Sequence, residues 1–123
     1  MSAKGTFEIN LTPQQDEGFE AGRMLIDKTY QGDLSGTGRG QMISSRLENG
    51  TAVYFAIEAF VGELNGKNGG FTMLHKGHMS KDAQSLEVNI LDGSGTGDLT
   101  GISGSLLIIQ DAGGHGYELS YEI

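Results

Sequence analysis

One five-residue phrase occurs three times in this chain, as Gly32-Asp33-Leu34-Ser35-Gly36, Gly62-Glu63-Leu64-Asn65-Gly66 and Gly97-Asp98-Leu99-Thr100-Gly101. Each copy runs glycine, acid, leucine, small polar residue, glycine. Apolar stretches precede the copies (Met24 to Ile26, Val53 to Val61, Leu86 to Leu91) and follow them (Met42 to Ile43, Phe71 to Leu74, Leu106 to Ile109). Strand, glycine turn and strand make a hairpin, so the chain reads as a repeated supersecondary unit of about 30 residues.

Around these phrases the apolar period is two. Phe7, Ile9 and Leu11 alternate with Glu8, Asn10 and Thr12; Leu86, Val88 and Ile90 alternate with Glu87 and Asn89. Tyr117, Leu119, Tyr121 and Ile123 alternate with Glu118, Ser120 and Glu122. That is the pleat of half-buried strands. No long stretch carries a helical stripe, and the segment 14–21 reads as a loop. The pattern predicts about eight strands: 5–11, 22–31, 38–47, 52–63, 70–79, 85–92, 98–110 with a glycine interruption, and 116–123. Short connections make sequence neighbours antiparallel neighbours in space. Such a meander leaves two unprotected edges unless its first strand meets its last, and closure leaves room for side chains or one small ligand. The expected fold is therefore all-β, an antiparallel closed barrel of about eight strands spanning 1–123 as one domain. A sandwich is the second choice.

Composition narrows the function classes. The chain has 123 residues, enough for one core. Its net charge is −8 and its eight Lys and Arg are scattered, so no basic footprint exists for nucleic acid or an anionic membrane. There is no cysteine, which removes disulfides, thiol nucleophiles and thiolate metal sites. No apolar run approaches a membrane span of about 18 residues, and the first residues lack the apolar core of a signal peptide. A cytoplasmic location is the expectation.

The stretch Gly93-Ser94-Gly95-Thr96-Gly97-Asp98-Leu99-Thr100-Gly101-Ile102-Ser103-Gly104 resembles the glycine-rich segment of the allene oxide cyclase and dirigent barrels. The whole chain is similar to a bacterial family of uncharacterised small proteins assigned to that barrel-like fold. That likeness rests on Gly5 to Glu8, Tyr54 to Glu58, Phe71 to His75, Ser94 to Gly97 and the His115-x-Tyr117-x-Leu119-x-Tyr121 ending. The plant cyclases carry Glu-Ile-Asn on their first strand with the polar pair reaching into the barrel. The resemblance thus implies that Glu8 and Asn10, in Phe7-Glu8-Ile9-Asn10, point inward. The cysteine of the plant site has no counterpart. The plant barrels are trimers, so a homo-oligomer is implied as possible.

From the residues themselves, Glu58 and His75 form the most suggestive pair. A two-residue turn at Gly66-Lys67 would set them directly across from one another, with Phe60 facing Met73. A longer loop over 64–70 would break that register. Either face of the strand, Tyr54-Ala56-Glu58-Phe60 or Val53-Phe55-Ile57-Ala59, could point inward. An inward Glu58 would demand a partner, His75 or Arg39. His75 and His78 fall on opposite faces, and His115 reads as part of a hairpin turn, so no metal site is expected. No phosphate loop, calcium loop or nucleophile elbow is present, and no cofactor is expected. The candidate pocket residues are Glu8, Asn10, Tyr54, Glu58 and His75. Three functions remain open. The first is a binding barrel for a small apolar or amphiphilic molecule. The second is a cyclase or isomerase using the same pocket, with Glu8 or Glu58 transferring protons. The third is an assembly module with a filled interior.

Overall fold

The computed structural model describes residues 1–111 and 113–123. It contains nine strands: β1 (Ser2–Gln14), β2 (Gly22–Gly32), β3 (Leu34–Arg46), β4 (Ala52–Leu64), β5 (Lys67–Met79), β6 (Gln84–Ile90), β7 (Thr96–Gly97), β8 (Ser103–Asp111) and β9 (Gly114–Glu122). The order around the sheet is β4-β3-β2-β1-β9-β8-β6-β5, and β4 pairs with β5 to close an eight-stranded antiparallel barrel. Strand β1 pairs with β9, so the first strand does meet the last. The two-residue β7 is an extra strand against Gly69 and Gly70 of β5. No helix among the described residues is long and apolar enough to cross a membrane.

The period-two runs set which side chains enter the barrel. Phe7 on β1, Ile26 and Tyr30 on β2, Phe60 on β4, Phe71 and Met73 on β5, Val88 and Ile90 on β6, and Leu106 on β8 are buried. Tyr117, Leu119 and Tyr121 of β9 join them. On β4 the inward set is Ala56, Glu58 and Phe60, while Phe55, Ile57 and Val61 face outward and are exposed.

The repeated phrase closes one end. Leu34, Leu64 and Leu99 are all fully buried, and Leu34 is the cross-strand partner of Leu64. The acids of the first and third copies do the same work. Asp33 N–H donates to Lys4 O while Asp33 Oδ2 accepts from Lys4 N; Asp98 N–H donates to Asn68 O while Asp98 Oδ2 accepts from Asn68 N. Each aspartate thus ties its turn to a neighbouring strand. Tyr117 locks the same end by accepting from Leu34 N–H at 2.7 Å, and Asn65 Nδ2 donates to Tyr121 Oη at 2.7 Å.

Three expectations need correction. The first two copies of the phrase lie in the β2–β3 and β4–β5 hairpins, but the third joins β7 to β8, which do not pair with each other. There the expected strand 98–110 breaks, because residues 98–101 turn to drive Leu99 into the core, where Ile102 is buried beside it. Second, β3 begins at Leu34 rather than at 38, since Gly36 also lies within the strand instead of in a turn. Third, the β4–β5 turn is Asn65-Gly66, both at positive φ (49° and 85°), with Leu64 opposite Lys67. This pair suits a tight two-residue hairpin, which favours left-handed residues at both central positions. It shifts the register by two, placing Ala56 opposite His75, Met73 opposite Glu58 and Phe71 opposite Phe60.

The leucine plug gives a direct test. Leu64→Ala should cost about 2–5 kcal/mol of unfolding free energy in denaturant titration, as a cavity in a tightly packed end. Leu107→Ala, on the exposed outer face of β8, should change it by no more than about 0.5 kcal/mol. Equal effects would contradict the assigned inward face.

Candidate functional site

A two-residue shift in register keeps side chains on the same face of the sheet. Glu58 and His75 therefore still meet, diagonally rather than directly. His75 Nε2 lies 2.8 Å from Glu58 Oε1. Lys28 Nζ on β2 donates to the same oxygen at 2.9 Å, and Tyr30 Oη donates to Glu58 Oε2 at 2.5 Å. Glu58 is fully buried, and Lys28 and His75 are each 6 % exposed. One carboxylate on β4 thus gathers three donors from two other strands, β2 and β5, in the middle of the barrel. Gly38, on β3 beside β4, makes room for it, since a Cβ there would collide with Glu58 Oε2 and the Tyr30 ring.

The electrostatics follow from this geometry. Burial on its own would raise the Glu58 pKa, but the hydrogen bond from His75, the Lys28 charge and the bonds from Tyr30 and Lys28 lower it to about 2. Glu58 is therefore an anion across the physiological range, and an anion only accepts, so His75 Nε2 carries a proton. Burial, then the adjacent Glu58 charge, push the Tyr30 phenol far above its ordinary value, and it remains a donor. Burial also raises the pKa of Tyr54.

Above this cluster, at the end opposite the leucine plug, lies a cavity of about 190 Å³. Phe7, Ile26, Met42, Tyr54, Ile108 and His115 are among its walls, and Lys28 and His75 reach it from the floor. Lys28 Nζ sits 4.9 Å from the centroid of the Phe7 ring and 5.8 Å from that of Tyr30. His115 stacks on Phe7 at 5.2 Å, and its Nδ1 is buried with no hydrogen-bond partner among the described residues. Tyr54 leans across Gly77, where any Cβ would strike its ring.

Of the sequence-based candidates, Glu58, His75 and Tyr54 come together here. Glu8 and Asn10 do not. Both are exposed, because Phe7 and Ile9 take the inward positions of β1 and the pleat sends their neighbours out. Arg39 is not the partner of Glu58 either; it binds Asp27 at 3.0 Å on the outside. His78 is exposed, across the sheet from His75. His115, expected in a turn, is the second residue of β9 and faces the cavity. Sequence reasoning missed Lys28 and Tyr30. Their signal was the parity of β2, where Met24, Ile26, Lys28 and Tyr30 share one face, so a lysine occupies an inward position.

A larger concavity, of about 840 Å³, lies outside the barrel on β3 to β6, where Ile43, Phe55, Ile57 and Leu74 stand between Arg39, Lys76 and Glu87. His75 borders it but Lys28 does not, and the smaller interior cavity, which both reach, is the better candidate site.

Removing one member of a buried ion pair leaves the other uncompensated. Glu58→Gln and Lys28→Met should each cost about 3–5 kcal/mol at pH 7, and the double variant should cost less than their sum in a double-mutant cycle. The pH dependence has a definite sign. The folded pKa lies below the ordinary value of 4.5, so the contribution of Glu58 is complete above about pH 4.5 and is lost as pH falls through about 2. That difference corresponds to about 3 kcal/mol. Denaturant titrations at pH 6 and pH 2 should show this extra acid loss in the wild type and not in K28M/E58Q.

Comparison with known proteins fits this architecture. The crystal structure of a protein of unknown function from Shewanella oneidensis MR-1, of the DUF3224 family, superposes with a TM-score of 0.90 at 34 % identity, covering 100 % of this chain and 96 % of that one. No curated protein matches. The family model described as "Protein of unknown function (DUF3224)" matches residues 3–121. The chain belongs to the DUF3224 family.

Proposed function

We propose that this barrel binds a small apolar or amphiphilic molecule in its interior, above the Lys28–Glu58–His75 cluster. The observation that carries the reading is the buried ion pair at the floor of an apolar cavity. A hydrophobic filling of the same volume would serve stability as well or better, so a charged group kept at a cavity floor points to recognition. Aromatic and aliphatic walls with a few convergent polar groups are the ordinary composition of a ligand site. Catalysis through Glu58 has less support. Its pKa of about 2 makes it a weak base at neutral pH, and three donors already occupy its two oxygens. Glu8 faces outward and cannot serve the interior. Among the described residues no group of three or more metal-ligating side chains exists.

A second reading concerns assembly. Ile43, Phe55, Ile57, Val61 and Leu74 are exposed on the outer face of β3, β4 and β5. Isolated apolar residues on a surface are ordinary, but a contiguous apolar face marks a contact. Arg39, Lys76 and Glu87 around it give that face both signs of charge, which suits self-complementary packing about a two-fold axis. We infer that a second copy of the chain covers it, leaving the interior site to each protomer.

Two experiments check these readings. Native mass spectrometry of protein purified gently from bacterial lysate should show a retained small molecule, and Ala56→Phe, which fills the cavity from its wall, should abolish retention while the protein stays folded. Retention unchanged in that variant would contradict interior binding. Light scattering coupled to size exclusion should give a multimer that Ile57→Glu converts to monomer; a monomeric wild type would overturn the assembly reading.

A further inference from the structure

The cavity floor offers donors and no accessible acceptor carboxylate. Both oxygens of Glu58 are engaged, Oε1 by Lys28 and His75 and Oε2 by Tyr30, and the residue is fully buried. Lys28 differs. Its ammonium carries three N–H groups, and among the described residues only one finds a hydrogen-bond acceptor, Glu58 Oε1. Its other close neighbours are the faces of Phe7 and Tyr30, and it lines the cavity. A ligand meeting this floor is asked for a hydrogen-bond acceptor.

Charge decides which acceptor. Lys28 and Glu58 cancel. A carboxylate entering beside them would add an uncompensated negative charge between apolar walls, which is unfavourable. A ketone, ester or amide oxygen accepts the same Lys28 N–H with no charge to compensate. Burial of Tyr30 and Tyr54 keeps both phenols neutral, so neither adds charge to this balance. Size limits the rest. A cavity of ~150 Å³ holds benzene, so about 190 Å³ suits one ring and a short substituent, in contact with Phe7, Tyr54 and His115.

We propose that the interior site selects an uncharged one-ring compound bearing a carbonyl oxygen, which accepts a hydrogen bond from the Lys28 ammonium. This rests on the interior-binding reading above. The bond is non-covalent: Lys28 Nζ already donates one N–H to Glu58 Oε1, and a second N–H of the same group meets the ligand oxygen.

Three probes of nearly equal size separate the possibilities: acetophenone, ethylbenzene and benzoate, titrated by ligand-observed NMR at pH 8 against the full chain. Acetophenone should bind at least ~10-fold more tightly than either of the others, the scale of one hydrogen bond to a charged group. In K28M/E58Q, which removes both charges together, acetophenone and ethylbenzene should agree within about two-fold. Circular dichroism and cooperative melting establish that this variant is folded. If it is not, Lys28→Arg, which keeps the charge but displaces its donors, serves instead and should reduce the acetophenone preference at least three-fold. Benzoate binding as well as acetophenone, or a carbonyl preference unchanged in the variant, would overturn the inference while leaving interior binding intact. No binding of any probe at millimolar concentration would overturn both.

Discussion

The buried carboxylate of Glu58 is the interaction on which the centre of this barrel depends. A lone carboxylate there would be driven to its neutral form. Instead Lys28 and Tyr30 from β2 and His75 from β5 converge on it, and Gly38 of β3 leaves the space it occupies. The result joins strands that are not all neighbours. It fixes rotamers in the middle of the molecule, and it holds the carboxylate charged at a pKa of about 2. Apolar packing alone could stabilise this layer, but it would not fix the positions of polar groups at the cavity floor.

This layer divides the barrel into two unlike halves. Below it the core is filled: Leu34, Leu64, Leu99, Ile102 and Leu119 are 0–1 % exposed, and Tyr117 and Tyr121 bond back to turns at the same end. Above it the side chains stand apart around the cavity. Of the small inward residues, Ala56 borders the cavity, whereas the space beside Gly38 and Gly77 is taken by Glu58 and by the Tyr54 ring. An eight-stranded barrel is just wide enough to be filled or to hold one small ligand, and this one does the first at one end and leaves room for the second at the other.

Much of the fold was legible because the pleat writes itself into the sequence with a period of two. Strand number, antiparallel order and closure of β1 on β9 follow from alternation and from turn chemistry. The places where the reading failed share a physical cause. Gly36 was read as part of a turn, yet it lies within β3, where close approach of the Val61 carbonyl excludes a side chain. Asn65-Gly66 and Gly66-Lys67 are both plausible two-residue turns, and only the positive φ at Asn65 and Gly66 selects the first. The meeting of Glu58 and His75 survived that error because side-chain parity is unchanged by a shift of two. Lys28 was overlooked because a lysine on a strand normally faces water, and its inward position depends on the parity of β2 and on a carboxylate 30 residues away. Glu8 and Asn10 were placed inward by family likeness, against their own alternation with Phe7 and Ile9; the alternation was the better guide.

The central claim is that the interior above the Glu58 cluster, not the outer groove on β3 to β6, receives the ligand. The most direct measurement is a set of intermolecular nuclear Overhauser effects between bound acetophenone and the protein. The account predicts contacts from the ligand to Phe7, Ile26, Tyr54 and His115. Contacts confined to Phe55, Ile57 and Leu74 on the outer face would contradict it.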